Sequence, residues 1–115
     1  SNCMKTKFIT SIVVLNVCST MSYAADIDCT GYIKTTESVM QERQNGKNIR
    51  DLVNLAKIQK DNARTPDEIE LSNLYTAFTI IASNEPIGQN DQEKEFAIAK
   101  AKYIGESLCK KYKQK

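Results

Sequence analysis

The sequence lacks histidine and tryptophan, and its 115 residues include only two prolines and four glycines. Histidine is the commonest general base in enzymes and the commonest metal ligand. Its absence removes the usual histidine-assisted nucleophiles and most familiar zinc sites. The four glycines are isolated from one another, so the sequence contains no glycine-rich phosphate-binding loop.

The carboxylates of the sequence do not suggest a catalytic pair. Asp67, Glu68 and Glu70 follow the start of a predicted helix, where the helix dipole accounts for acidic side chains. We therefore predict no catalytic, cofactor-binding or metal-binding residues, and we expect a protein that is not an enzyme.

The charge of the chain is small but unevenly distributed. A net charge of +2 is too low for a typical nucleic-acid-binding protein. Residues 61–95 carry eight acids and two bases, whereas residues 96–115 carry six lysines and one acid. These segments either satisfy helix dipoles and solvate the surface, or form an acidic patch for a basic partner and a lysine-rich tail for anionic lipid or cell-wall polymer.

A secretory signal peptide is predicted at residues 4–24. Met4 is followed by two lysines, by an apolar run from Phe8 to Cys18 and by a stretch of small and polar residues that ends at Ala24. This three-part pattern is typical of exported proteins, and the run is shorter than the about 20 residues of a membrane span. We expect cleavage after Ala24; an uncleaved anchor and a buried strand are the alternatives.

The leader also defines the predicted domain organisation. Residues 1–3 precede the methionine at position 4 and are interpreted as a cloning remnant or a misplaced start. Residues 25–115 form one predicted domain of 91 residues with equal numbers of acidic and basic side chains. Lipid attachment at Cys18 is not expected, because the bulky Val17 departs from the lipoprotein signal. We therefore expect a periplasmic or secreted protein with no transmembrane span.

Two cysteines remain in the predicted domain, Cys29 and Cys109. Exported proteins enter an oxidising compartment, where two lone cysteines most simply pair. A zinc site would need further ligands at close spacing, and the sequence supplies none. We therefore predict a single disulfide between Cys29 and Cys109.

Four segments show the periodicity of amphipathic helices, and no segment of the domain shows the alternation of a strand. The first begins near Cys29 and stops at Asn45–Gly46, and the second begins at the N-cap Asn48. The third start, Thr65–Glu68, combines a capping box with proline at the first helical position. The fourth begins at Asn90 with similar capping residues.

Each predicted helix has an apolar face that we expect to be buried. The third helix has the most apolar face, formed by Leu71, Leu74, Tyr75, Phe78, Ile81 and Ala82. The face of the second helix consists of Ile49, Leu52, Val53 and Ala56, widened by Leu55 and Ile58. Gly105 within the fourth helix indicates either a close helix contact or a weak point.

The predicted fold is all-α, a four-helix up-down bundle with short connections, closed by the disulfide. This topology places the start of the first helix beside the end of the fourth, where Cys29 and Cys109 lie. It also brings the connections 44–48 and 84–90 together at the opposite end. In the second connection, the apolar Ile87 either folds back onto the helix ends or projects as an anchor for a partner's pocket.

The predicted partner-binding residues are therefore those around this isoleucine. They are Glu85, Pro86, Ile87, Gly88 and Gln89.

The segment Cys29-Thr30-Gly31-Tyr32-Ile33 opens the first helix of a small exported domain with two cysteines. In this position it resembles the start of some periplasmic immunity proteins, which protect bacteria against type VI secretion amidase effectors. The resemblance covers these five residues and the general layout. It implies an all-α, often dimeric protein that blocks a cell-wall hydrolase with a protruding surface element.

These observations favour binding over catalysis as the function. We expect an inhibitor or immunity protein whose partner is another protein, such as a cell-wall hydrolase effector, and a homodimer is compatible with this role. A small periplasmic chaperone of the acid-stress type and an envelope adaptor are the alternatives.

Overall fold

The computed structural model describes residues 28–113. The predicted leader at 4–24, residues 1–3 and Cys18 lie outside these described residues. The four helices are α1 (Thr30–Gln44), α2 (Ile49–Asn62), α3 (Pro66–Ser83) and α4 (Asp91–Lys113). Residues 28–113 contain no strand, which confirms the all-α prediction. No helix in this range has the length and apolar composition needed to cross a membrane.

The helix boundaries follow the capping signals of the sequence. Asn48 accepts a hydrogen bond from the Asp51 N–H and forms a capping box with that residue. Thr65 and Glu68 form the predicted box at the start of α3, with a 3.1 Å bond from the Glu68 N–H to the Thr65 hydroxyl. Gly46 has a φ of +106°, the left-handed conformation that stops α1.

Helix α1 lies at the centre of the four-helix bundle. It packs along α4 on one side and along α3 on the other, and α2 packs mainly against α3. Within residues 28–113, α4 packs along α1 alone and not along its neighbour in sequence, α3. The first and third helices run in the same direction. Tyr32 contacts Glu70 near their starts, and Arg43 in the last turn of α1 contacts Glu85 just beyond the end of α3. The up-down order is confirmed, with α1 between α3 and α4.

The hydrophobic core joins all four helices but is smaller than the predicted apolar faces. Its buried residues are Val39, Met40, Leu52, Ala56, Tyr75, Phe78, Ala82, Ala97 and Ala101. Ile49, Val53, Ile58 and Ile81 were expected on buried faces, yet each is about half exposed. For the three residues of α2, the reason is that this helix is covered mainly by α3 and has only slight contact with α1, so one edge of its apolar stripe stays in solvent.

Gly105 marks the closest approach of α1 and α4. A Cβ atom at this position would overlap the Thr36 hydroxyl and lie 2.7 Å from the carbonyl oxygen of Tyr32. Thr36 itself is fully buried, and its hydroxyl donates to the carbonyl groups of Tyr32 and Ile33. Helix packing therefore requires glycine at this position. Of the two interpretations, a close helix contact is correct and a weak point is not.

The predicted disulfide joins Cys29 and Cys109, whose Cα atoms are 5.6 Å apart. It links the start of α1 to the end of α4 across 80 residues of sequence. Closing a loop of this length in the unfolded chain stabilises the folded state by about 4 kcal/mol in the chain-entropy model. The disulfide is confirmed, and it fits an oxidising compartment.

Candidate functional site

The candidate site lies at the end of the bundle opposite the disulfide, where the loop 84–90 joins α3 to α4. The C-terminal turn of α1 holds this loop, as the predicted topology requires. Arg43 donates from its Nε to the Glu85 carbonyl oxygen at 3.0 Å and from its Nη1 to the Lys47 carbonyl oxygen at 2.9 Å. One guanidinium group therefore ties together both connections at this end.

Gln44, the last residue of α1, fixes the middle of the same loop. Its side chain is buried, with 2% of the residue exposed. The Nε2 group donates to the Pro86 carbonyl oxygen at 3.1 Å, and Oε1 accepts from the Gly88 N–H at 2.8 Å. Because buried amides must find hydrogen-bond partners, this glutamine specifies the conformation of the two residues that flank Ile87.

The loop then packs directly onto the first turn of α4. A Cβ atom at Gly88 would lie 2.7 Å from the backbone nitrogen of Lys94, so only glycine allows the loop to approach α4 this closely. The Glu93 N–H donates to the Asn90 side chain at 2.9 Å, and the Glu93 carboxylate accepts from the Gln89 N–H at 2.8 Å. These bonds cap α4 and complete a loop that is hydrogen-bonded on both sides of Ile87.

Ile87 and Phe96 form the apolar part of this surface. Ile87 is 40% exposed, and Phe96, one turn into α4, is 65% exposed. Both line an open cavity of about 560 Å³, together with Glu85, Pro86, Gly88, Asn90, Gln92 and Glu93. Ile87 thus contributes to the wall of the cavity while almost half of it faces solvent.

Two of the residues that line the cavity, Glu85 and Glu93, carry carboxylates. Lys100 reaches back to this surface: its Nζ is 3.1 Å from Glu85 Oε1 and 5.6 Å from the centre of the Phe96 ring. The cavity lining therefore combines apolar surface with two carboxylates, of which Glu85 is paired with Lys100.

The structure brings the predicted residues Glu85, Pro86, Ile87 and Gly88 together around one cavity, whereas Gln89 only joins the cap of α4. Sequence reasoning missed Phe96, which lies off the buried stripe of α4. It also missed Gln44, although its spacing of four from the buried Met40 and eight from Thr36 places it on the buried face of α1.

A second polar cluster lies beside the disulfide. The Tyr32 hydroxyl donates to the Glu70 carboxylate, and Lys113 Nζ lies 3.9 Å from the same carboxylate. The pKa of Tyr32 is raised to about 12, mainly because the phenol is buried and also because it donates to Glu70. The cluster joins α1, α3 and the end of α4 through these two contacts.

Ser107 and Lys110 have the Ser-x-x-Lys spacing of some serine nucleophiles. Both residues are exposed on α4, and Lys110 Nζ lies 3.2 Å from the Glu106 carboxylate. The lysine is therefore engaged by a carboxylate on the open surface of α4. Residues 28–113 contain no group of three or more Cys, Asp or Glu side chains that could hold a metal ion.

Comparisons with protein-family models, with curated proteins and with solved structures found no match to this chain.

Proposed function

We propose that this protein is a non-enzymatic inhibitor that acts in the bacterial cell envelope. It binds a partner protein through the loop Glu85–Gln89. The partner we expect is a cell-wall hydrolase effector, as the resemblance of residues 29–33 implies. The observation that carries the proposal is the attachment of this loop to the buried side chain of Gln44. The proposal includes cleavage of the leader at Ala24 and function in the periplasm or outside the cell.

A rigid loop is suited to inhibition because it loses little conformational entropy on binding. Here, three elements hold the loop: Arg43 and Gln44 at the end of α1, and the capping residues of α4. Ile87 at its centre offers an apolar anchor next to Phe96, and apolar anchors at the centre of an interface contribute much of the binding energy. This arrangement favours insertion into a concave site of the partner, such as a catalytic cleft.

Affinity capture with the oxidised protein tests the proposal. The protein is immobilised, exposed to envelope extracts, and each retained hydrolase is assayed for release of cell-wall fragments with and without the inhibitor. We expect one hydrolase to be retained and inhibited at a stoichiometric ratio. Retention of a hydrolase whose activity is unchanged would contradict inhibition.

The loop is tested with a pair of matched variants. Ile87→Asp places a charge at the anchor, and we expect it to abolish retention and inhibition while helicity stays unchanged. Ile58→Asp makes the same substitution on α2, where the isoleucine is 53% exposed and distant from the loop. We expect the second variant to bind like the unmodified protein, and equal binding by both variants would eliminate the loop as the inhibitory element.

A chaperone of the acid-stress type is the second candidate. Exposed isoleucines on α2 and α3, among them Ile49, Ile58, Ile69 and Ile80, favour it because such side chains bind unfolded chains. Circular dichroism and binding of a hydrophobic dye at pH 2 to 3 distinguish the two functions. A chaperone gains dye binding and protects unfolded proteins from aggregation, whereas a rigid inhibitor does neither.

A further inference from the structure

We propose that the cavity beside Ile87 receives an arginine side chain of the partner. This inference rests on the proposed function and names the chemistry that the docking surface recognises. The cavity combines an apolar wall, an exposed aromatic ring and carboxylates, and each of these matches one part of an arginine.

The size and the wall of the cavity suit a long side chain. Its volume of about 560 Å³ falls in the range of roughly 300–1,000 Å³ that is typical of ligand pockets. Pro86 and Ile87 provide apolar surface for the methylene stem of the arginine. Amphipathic side chains commonly bury such a stem while the charged head contacts polar groups.

Phe96 and Glu93 provide the contacts for the charged head. The ring of Phe96 is exposed over the cavity, and a guanidinium plane stacks well on an aromatic face. Glu93 Oε1 accepts from the Gln89 N–H, and in residues 28–113 no hydrogen bond involves Oε2. This second oxygen is available to a guanidinium that rests on the ring.

The protein already contains a cation in this environment. Lys100 contacts the Glu85 carboxylate at 3.1 Å and lies 5.6 Å from the centre of the Phe96 ring. Phe96 nevertheless remains 65% exposed, so one lysine leaves most of the ring accessible. The contact shows that this ring and its neighbouring carboxylate accept a positive charge.

The local charge also favours a basic partner. The residues that line the cavity include the carboxylates of Glu85 and Glu93 and no lysine or arginine. Carboxylates in the lining attract a positively charged group and disfavour an acidic one. Arginine is preferred over lysine because its planar group can stack on Phe96 and bond a carboxylate at the same time.

Nuclear magnetic resonance of the isotope-labelled full chain tests the site without knowledge of the partner. The probe is N-acetyl-arginine methylamide at low salt, and its lysine and citrulline counterparts serve as controls. We expect weak, roughly millimolar binding of the arginine probe, with shifts confined to the amides of Gly88, Gln89 and Phe96. The citrulline probe, which has the same length but no charge, is expected not to bind.

Three results would overturn the proposal. They are the absence of localised shifts with the arginine probe, equal binding of the citrulline probe, and equal binding of the lysine probe. The last would remove the choice of arginine, because a simple charge attraction would then explain the contact.

Matched variants assign the contact to the two residues. Glu93→Gln keeps an oxygen for the Gln89 N–H but removes the charge, and Phe96→Leu keeps an apolar side chain but removes the ring. We expect each substitution to lower the affinity for the arginine probe by about two- to fivefold. Glu106→Gln and Tyr103→Leu remove a carboxylate charge and an aromatic ring from α4 outside the cavity lining, and both are expected to leave binding unchanged.

The same variants separate this inference from the proposed function. If a captured hydrolase depends on Ile87 but binds Glu93→Gln and Phe96→Leu with unchanged affinity, the arginine site is wrong and the inhibitor remains. If the arginine probe binds as expected but no hydrolase is inhibited, the site stands and the proposed function is wrong.

Discussion

The side chain of Gln44 holds Gly88: its Oε1 accepts the Gly88 N–H at 2.8 Å from a position that is almost completely buried. The same amide donates to the Pro86 carbonyl oxygen at 3.1 Å. One residue at the end of α1 therefore determines the conformation on both sides of Ile87. This contact links the stability of the bundle to the conformation of the loop that carries Ile87.

Replacing Gln44 with leucine tests this link. Gln44→Leu leaves the Gly88 N–H and the Pro86 carbonyl without their partner, and we expect a loss of about 1–3 kcal/mol in the free energy of unfolding. Urea unfolding measures the loss, and hydrogen exchange at the Gly88 amide is expected to accelerate. Gln41→Leu, at an exposed position of the same helix, is the control. Equal stability of the two variants would show that the loop does not depend on Gln44.

Gly105→Ala tests the close approach of α1 and α4. Alanine is intrinsically better in a helix by about 1 kcal/mol, so an exposed glycine would gain stability from this change. Here the added methyl group would overlap Thr36 and the Tyr32 carbonyl, and overpacking costs about 1–3 kcal/mol. We expect a net decrease in the thermal midpoint. Ser107→Ala, exposed on the same helix, is expected to unfold at an unchanged temperature; a more stable Gly105→Ala variant would mean that the helices separate easily.

Removal of the disulfide is expected to lower the free energy of unfolding by about 4 kcal/mol. The comparison is between the oxidised protein and a variant in which Cys29 and Cys109 are both serine, measured by urea unfolding. A reductant should lower the free energy of unfolding of the oxidised protein and leave that of the double-serine variant unchanged. Mass spectrometry of protein purified from the periplasm should show two fewer hydrogens than the reduced chain, and two free thiols would contradict the pairing.

Tyr32 is expected to make the protein sensitive to high pH. Its pKa is raised to about 12 in the folded protein, whereas a tyrosine in the unfolded chain titrates near 10. The unfolded state therefore loses its proton first, and the stabilisation falls as the pH rises from about 10 to 12. Tyr32→Phe should reduce this dependence, measured as the urea midpoint against pH. Tyr75, whose pKa is also raised by burial, should contribute in the same direction.

Glu68 is expected to make the protein less stable at low pH, whereas Tyr32 acts at high pH. Its carboxylate accepts the N–H groups of Arg64 and Thr65, which lowers the pKa below its usual value of 4.5. The stabilisation is present above that value and is lost as the pH falls below it. Glu68→Gln keeps an oxygen acceptor and should flatten the acid limb of a stability profile. Asp67→Asn removes a neighbouring carboxylate that does not accept these two amides, so an equal effect would point to the helix dipole alone.

The sequence by itself determined the helices and the covalent link between their ends. Thr65, Asn48 and Gly46 acted through local hydrogen bonds and backbone conformation, which depend on few neighbours. The pairing of Cys29 with Cys109 was predictable from the expected oxidising compartment and the up-down order of the helices. These features were predictable because each arises within a helical turn or from the direction of consecutive helices.

The tertiary structure decided which side chains surround Ile87. The sequence located Ile87 in an unusual loop, and helical spacing puts Gln44 on the buried face of α1, but periodicity could not show that the Gln44 amide holds that loop or that Phe96 stays outside the core. Both depend on the position of α4, which packs along α1 rather than along α3. Burial and exposure at the cavity follow from this packing between distant segments, and local sequence patterns do not contain that information.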